Sequence, residues 1–196
     1  MNADFSDKRN WRNIERGFLF EAAMIYPSDM ERPLLFFIPD GTSPNHGKLV
    51  KSLGDFRPQK TTEGYVALEQ KIVMNVKPRR VLILSDNTLN KSEEFEFVQI
   101  APVMSISRRD QSKAWYQKTI EDDHPAFIYL PREITGKECY VDVSEIMSIH
   151  KSLLLMKKNK VPNGRMQVVE DAIIECLGLG LIPETDATTI SSEYYE

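Results

Sequence analysis

Two arginines and a serine are the residues of this sequence whose types and spacing best fit a chemical reaction. Arg79 and Arg80 stand directly before the apolar run VLIL, and Ser105 ends a second apolar run. A guanidinium group presents a planar set of donors that matches phosphate oxygens, and it stays charged at every biological pH. A serine hydroxyl donates to a phosphate oxygen or orients another hydroxyl. If the two runs pair as strands, these side chains form a phosphodiester-handling site without a metal ion.

The same residues also have a plain structural explanation. Arg79 and Arg80 are then solvated residues ahead of an apolar strand, and Ser105 satisfies a bulge after Pro102. Spacing alone leaves both explanations open.

Other kinds of site find little support in the sequence. No glycine-rich phosphate loop follows a strand, so no nucleotide cofactor is expected. The three histidines, His46, His124 and His150, share no ligand spacing, so no metal is expected either. Cys139 and Cys176 are too few for a disulfide framework, and both lie among apolar residues. We expect them to be buried free thiols in a reducing cytoplasm.

Composition and charge limit the function classes further. The chain has 196 residues, 41% of them hydrophobic, and its net charge of −4 comes from 29 acidic and 25 basic residues. This balance excludes a surface coated in positive charge for non-specific nucleic-acid binding, but it leaves room for a local basic groove. No segment reaches the ~18 apolar residues of a membrane span. We therefore expect a cytoplasmic protein without membrane contact.

The coarse pattern is a series of strands followed by one helix. Residues 1–16 read as an arm or a short helix, 42–64 as a loop, 66–76 as a strand or a short helix, and 107–124 as a loop or a short surface helix. Apolar and aromatic runs predict strands over 17–27, 32–41, 81–85, 97–103, 126–131 and 138–149.

The C-terminal helix is the clearest element in the sequence. Asn163 is available as its cap and Gly178 as its stop. An apolar stripe recurs at helical spacing, formed by Met166, Val169, Ile173 and Leu177. The pattern predicts an α+β fold, a curled antiparallel sheet covered by a C-terminal helix. We expect one domain over 1–183 and an acidic disordered tail over 184–196.

Four segments in order resemble a known family. They read ERGFLFEA, PRRVLILSDN, IAPVMS and CYVDVSEIMSIHKSLL, and a terminal helix follows them. Together they resemble the MazF/PemK family of toxin endoribonucleases over about residues 78–180 and the first strand near 16–22. The resemblance implies the small SH3-like barrel of the CcdB/MazF type.

The resemblance also implies an activity and a set of site residues. Members of the family cleave single-stranded RNA at short sequence motifs without a metal, by attack of a 2′-hydroxyl that leaves a cyclic phosphate. The resemblance further implies two partners, an antitoxin peptide and a second copy of the chain. The family's catalytic arginine falls on Arg79 and its catalytic threonine on Ser105. The implied substrate-binding residues are Arg80, Ser107, Arg108 and Arg16.

The sequence departs from the family pattern at several points. Arg80 replaces a proline, Ser105 replaces a threonine, and Phe18 stands where the family has an aspartate. A segment at about 28–77 is inserted between the first two family strands. Within it, Arg32 precedes a proline and matches the family's Arg-Pro locally, but only Arg79 is followed by the other motifs at suitable spacing.

Two other functions stay open at this stage. One is a binding or regulatory protein that keeps the nuclease fold without activity. The other is a gyrase inhibitor like CcdB, since the segment ECLGLGLI is similarly apolar to the end of that toxin's helix.

Overall fold

The computed structural model describes residues 3–25, 31–41, 43–62 and 64–180. The chain divides into two compact units, Met1–Ala22 with Arg79–Glu196, and Ala23–Pro78. The predicted layout, one domain over 1–183 that carries an insertion at about 28–77, stays a prediction. The predicted disordered tail at 184–196 lies outside the described residues.

The described residues form eleven strands and four α-helices. The strands are β1 Phe18–Ile25, β2 Leu34–Asp40, β3 Ser43–Ser52, β4 Gln59–Thr61, β5 Gly64–Val66, β6 Val76–Ile83, β7 Phe97–Ser105, β8 Phe127–Leu130, β9 Cys139–Asp142, β10 Met147–His150 and β11 Leu154–Lys160. The helices are α1 Asn87–Lys91, α2 Ala114–Ile120, α3 Arg132–Thr135 and α4 Asn163–Cys176.

Seven strands form one sheet in the order β11-β1-β6-β7-β9-β8, and β10 also pairs with β7. Strand β7 is central because its first half pairs with β10 and its last residues pair with β9. Its other edge pairs with β6. The pairs β1–β11, β6–β7, β7–β9, β8–β9 and β7–β10 are antiparallel. The predicted α+β fold, an antiparallel sheet covered by a C-terminal helix, is confirmed.

The sheet buries the apolar run of β6 completely. Residues 81–84 are at most 6% exposed, as predicted for a strand covered on both faces. Met166 and Val169 of α4 pack into the main apolar cluster with side chains of β6 and β7. Gly17 allows this close packing, because a Cβ atom there would lie 3.3 Å from Cγ of Met166 and its φ is +79°.

The second unit shows that one loop prediction is wrong. Residues 43–52 form β3, which pairs antiparallel with β2 from Leu34↔Ser52 to Asp40↔Ser43. Gly, Pro, Ser and Asn suggested a loop there, but pairing with an apolar partner strand supplies the backbone hydrogen bonds that stabilise an extended segment. The ambiguous 66–76 segment begins with the last residue of β5 and ends with the first residue of β6, and residues 67–75 between them form neither helix nor regular strand, apart from a single bridge between Phe36 and Ile72.

Two details predicted for α4 and its surroundings are corrected. Pro162, and not Asn163, is the N-cap, and its carbonyl accepts from the amides of Arg165 and Met166. Cys176 is exposed, because the last turn of α4 lies at the surface; Cys139 is buried, as expected.

The remaining elements differ from the expectations mainly in length. Residues 8–13 form a 3₁₀ helix whose Trp11 is buried, so the start is a short helix and not an arm. A 3₁₀ turn at 143–145 divides the predicted 138–149 strand into β9 and β10. The sequence patterns did not predict β11, in which charged residues follow a short apolar run. In the described part of the chain, no helix is long and apolar enough to cross a membrane.

Candidate active site

Pairing of β6 with β7 brings the three residues of the predicted site to one end of the sheet. Arg80 pairs with Val103, and continuing that register by one residue sets Arg79 opposite Met104. Ser105 is the last residue of β7 and pairs with Cys139 of β9. Arg79 and Ser105 are exposed, and Arg80 is half-buried. The strand end therefore presents two cations and a hydroxyl to solvent.

The register also decides which side chains share a face. Paired residues of an antiparallel sheet project from the same face, and consecutive residues alternate. Ser105 consequently shares its face with Arg80, whereas Arg79 projects from the other face with Met104. The structure thus brings Arg79 and Ser105 to neighbouring strand positions but on opposite faces. A phosphate group held by both must lie at the end of the strands.

Arg80 has protein partners on its face. Its Nη1 donates to the carbonyl oxygen of Thr135 at 2.8 Å and lies 4.0 Å from Sγ of Cys139. Thr135 ends α3, so the guanidinium carries positive charge to the carbonyl end of that short helix. This geometry gives Arg80 a structural role in addition to the predicted substrate contact.

Ser107 lies just beyond β7 in a small hydrogen-bonded turn. Its hydroxyl donates to Oδ2 of Asp110 at 2.6 Å, and its amide donates to the same oxygen at 2.9 Å. Lys113 pairs with the other carboxylate oxygen at 2.8 Å. These donors, Lys113 first, hold the pKa of Asp110 far below its usual range. The Ser107 hydroxyl is engaged in this turn, and Arg108 beside it is exposed.

Arg16 is not brought to this end of the sheet. Its Nη2 pairs with Glu170 of α4 at 2.8 Å, and its Nη1 donates to the carbonyl of Leu84. Leu84 is five residues after Arg79, which corresponds to about 16 Å along an extended strand. The contacts of Arg16 tie the start of β1 to α4, and they give no support to its predicted role in substrate binding.

A carboxylate that the sequence patterns did not single out lies beside the candidate site. Glu138 accepts hydrogen bonds from the Tyr129 hydroxyl at 2.8 Å and from Nε2 of Gln111 at 2.8 Å. The Tyr116 hydroxyl lies 3.5 Å from the same carboxylate. The bond from Tyr129 holds the pKa of Glu138 below its usual range, while burial and then this carboxylate raise the pKa of Tyr129 to about 12. At neutral pH Glu138 is ionised and Tyr129 is protonated.

A cluster of aromatic rings lies on the same face of the sheet as this carboxylate. Trp115 of α2 contacts Tyr140 and Phe127 edge to face, with ring centroids 5.4 and 5.6 Å apart. His124 stacks on Phe127 at 4.1 Å. These rings are half-buried, so they hold α2 against the sheet and still offer surface to solvent. Across the described residues, no group of three His, Cys, Asp or Glu side chains is placed to hold a metal ion.

Fold and site together define a class of small α+β protein with cations and a hydroxyl at the end of a central antiparallel strand pair. A family model described as PemK-like, MazF-like toxin of type II toxin-antitoxin system matches residues 53–177. This match spans well over half of the chain, so the chain belongs to the PemK/MazF-like toxin family. The matched span includes Arg79 and Ser105 and leaves out Arg16 and Arg32.

Solved structures show distant likenesses. One is an endoribonuclease in complex with its cognate antitoxin from a mycobacterial species, with 12% identity, a TM-score of 0.43, and coverage of 86% of this chain and 97% of that chain. Another is an endoribonuclease from a mycobacterial species, with 18% identity, a TM-score of 0.41, and coverage of 54% and 85%. No curated protein matches the chain.

Proposed function

We propose that this toxin-family protein is a metal-independent endoribonuclease that cleaves single-stranded RNA at short sequence motifs. The observation that supports it is the β6–β7 pairing, which places Arg79, Arg80 and Ser105 at one strand end in a chain of the PemK/MazF-like family. Arginine and hydroxyl donors bind a phosphodiester without a metal ion.

In the proposed reaction the 2′-hydroxyl of one ribose attacks the adjacent phosphorus. The new O2′–P bond forms as the P–O5′ bond breaks. The 2′-hydroxyl gives up its proton, and the leaving 5′-oxygen takes up a proton. The products are a 2′,3′-cyclic phosphate and a 5′-hydroxyl, and no water is consumed. Arg79 stabilises the charge that develops on the phosphoryl oxygens, because its guanidinium group presents donors that match those oxygens.

Ser105 serves as a positioning group in this proposal. Its hydroxyl, at the last residue of β7, donates to the phosphate or holds the 2′-hydroxyl in line with the leaving oxygen. The serine lacks the methyl group that restricts the rotamer of a threonine, so it holds this geometry less firmly.

Two partners follow from the same proposal. The first partner is an antitoxin peptide that restrains the toxin, as expected of a type II system.

The second partner is another copy of the chain. Three exposed apolar residues near the end of α4 support an apolar interface, namely Ile174 (46%), Leu177 (55%) and Leu179 (64%). The RNA substrate makes the cytoplasm the place of action. Light scattering distinguishes a monomer of 22.6 kDa from a dimer of twice that mass.

Incubation with a long single-stranded RNA in EDTA tests the activity. We expect defined fragments whose 5′ ends accept a labelled phosphate from polynucleotide kinase without prior phosphatase treatment, because cleavage leaves a 5′-hydroxyl. Cutting that requires added magnesium would exclude this mechanism. Absence of cutting under both conditions would favour the alternative of an inactive protein that keeps the nuclease fold.

A further inference from the structure

Glu138 is positioned on the face of the sheet from which Arg79 projects. Met104 of β7 pairs with Tyr140 of β9, which pairs in turn with Tyr129 of β8. With Arg79 opposite Met104, these four residues form one row across four strands. Glu138 precedes Tyr140 by two residues and therefore projects from the same face. Two strand spacings, about 10 Å, separate Arg79 from Tyr140.

The carboxylate of Glu138 has spare acceptor capacity on both oxygens. A carboxylate has about four lone-pair sites. Tyr129 fills one on Oε1, and Gln111 fills one on Oε2. The Tyr116 contact at 3.5 Å is longer than an ordinary hydroxyl hydrogen bond, so a better donor displaces it readily. Each oxygen can thus accept a further hydrogen bond from a ligand, in a side-by-side arrangement.

We propose that Glu138 reads a guanine base next to the phosphate held at Arg79, an inference that rests on the proposed RNA substrate. Guanine presents two parallel donors, N1–H and the N2 amino group, on its Watson–Crick edge. An acceptor-only carboxylate pairs with both. Cytosine and adenine offer one amino group beside an acceptor, and uracil places acceptors on both sides of its single N–H.

The neighbouring rings and hydroxyls support this choice. Tyr129 and Gln111 fix the orientation of the carboxylate, so little side-chain freedom is lost when a base binds. The half-buried ring of Tyr140, with Trp115 at 5.4 Å, supplies an aromatic surface against which a splayed base can stack. Single-stranded RNA is read in this way, through stacked bases whose edges are hydrogen-bonded.

A binding experiment with uncleavable RNA tests the inference. The probes are four 2′-O-methylated hexamers, one all-uridine and three with a single guanine, cytosine or adenine at the third position. The 2′-O-methyl group blocks attack on the phosphorus, so affinity is measured without cleavage. We expect the wild-type protein to bind the guanine hexamer about five- to 150-fold more tightly than the all-uridine hexamer, the range of one bidentate base contact.

Two variants separate base reading from a structural role. Glu138→Gln replaces one acceptor with a donor, so we expect the preference for guanine to disappear. Glu133→Gln removes the same charge from an exposed position on α3 and should leave the preference unchanged. If Glu138 only ties Gln111 and Tyr116 to the sheet, Glu138→Gln weakens binding to all four hexamers equally, and the inference is overturned.

The outcome is independent of the cleavage test. Wild-type protein that binds the four hexamers equally, or binds none of them, overturns the inference even if it cuts RNA in EDTA. A guanine preference that Glu138→Gln abolishes supports the inference even if no cutting is observed, and only the nuclease proposal then fails.

Discussion

At the scale of single residues, the two arginines of β6 should respond differently to substitution. Arg79→Ala should reduce cleavage to the background level, because it removes the charge proposed to stabilise the phosphoryl oxygens, and it should leave the fold intact since Arg79 is exposed. Arg80→Ala loses the bond to the Thr135 carbonyl and one proposed phosphate contact, so we expect lower stability and weaker RNA binding, with the cleavage step itself retained. Gel assays and thermal melts measure both quantities.

The control for these variants is Arg12→Ala, which removes an equal charge from an exposed position in the N-terminal 3₁₀ helix. It should cut like wild type. Loss of cutting in Arg80→Ala with full activity in Arg79→Ala would assign the catalytic role to Arg80, which shares a face with Ser105.

Ser105 offers a second test at the residue scale. Ser105→Thr restores a stiffer hydroxyl and should retain or raise activity. Ser105→Ala should lower the turnover number by roughly ten- to a thousandfold, the range for loss of one oriented donor. Single-turnover cleavage rates are the measurement. Equal rates for wild type and Ser105→Ala would leave the serine with a structural role only.

At the scale of elements, His124 fixes the start of β8 in a pH-dependent way. Its Nδ1 accepts from the amides of Ala126 and Phe127 at 3.2 and 3.0 Å, and burial lowers the pKa of His124. The unfolded chain therefore binds the proton more tightly than the folded one. The stabilisation that neutral His124 contributes is fully present above the usual histidine pKa of about 6.5. It is lost as the pH falls through the lowered pKa of His124 in the folded chain.

The urea midpoint of the wild type should consequently fall between pH 7.5 and 5.5. His124→Asn keeps an acceptor for the same amides without titrating in this range, so its midpoint should depend less on pH. Parallel pH profiles of the two proteins would contradict the role given to His124.

Lys151 holds α1 against the sheet through buried hydrogen bonds. Its Nζ donates to the carbonyls of Leu89 and Ser92 at 2.8 and 2.7 Å and lies 4.6 Å from the Trp11 ring. Lys151→Met keeps the volume but leaves both carbonyls without this donor. We expect the free energy of unfolding to fall by about 2 kcal/mol or more. Urea titration measures this free energy. The control is Lys158→Met, because Lys158 forms a partly exposed ion pair with Glu21.

At the scale of the whole molecule, the net charge of −4 predicts a shallow salt dependence of RNA binding. Binding by Arg79, Arg80 and Arg108 involves about three phosphates, so log Kd should rise against log salt with a slope of about 2. Fluorescence anisotropy with the uncleavable hexamers from 50 to 300 mM salt measures this slope. A slope of about 3 or more, which requires contact with nearly all phosphates of the hexamer, would show that a wider basic surface binds the RNA.

Much of the first unit could be predicted from sequence, because its signals are local. The apolar run of β6, the helical stripe of Met166 and Val169, and the left-handed Gly178 just beyond the C-cap of α4 depend only on nearby residues and their periodicity. The same is true of the pairing of β6 and β7, which two apolar runs joined by a turn-rich segment already indicated. The family motifs added order and spacing to these local signals.

Other features were decided only by tertiary structure. Strand β3 exists because β2 supplies its hydrogen bonds, and its own residues favour a loop. The register, which no single residue type encodes, placed Ser105 on the face of Arg80 and Arg79 on the other face. Glu138 acquired its partners from a neighbouring strand and a distant loop and helix. Such contacts depend on how strands and helices pack, so the spacing of residues along the sequence does not predict them.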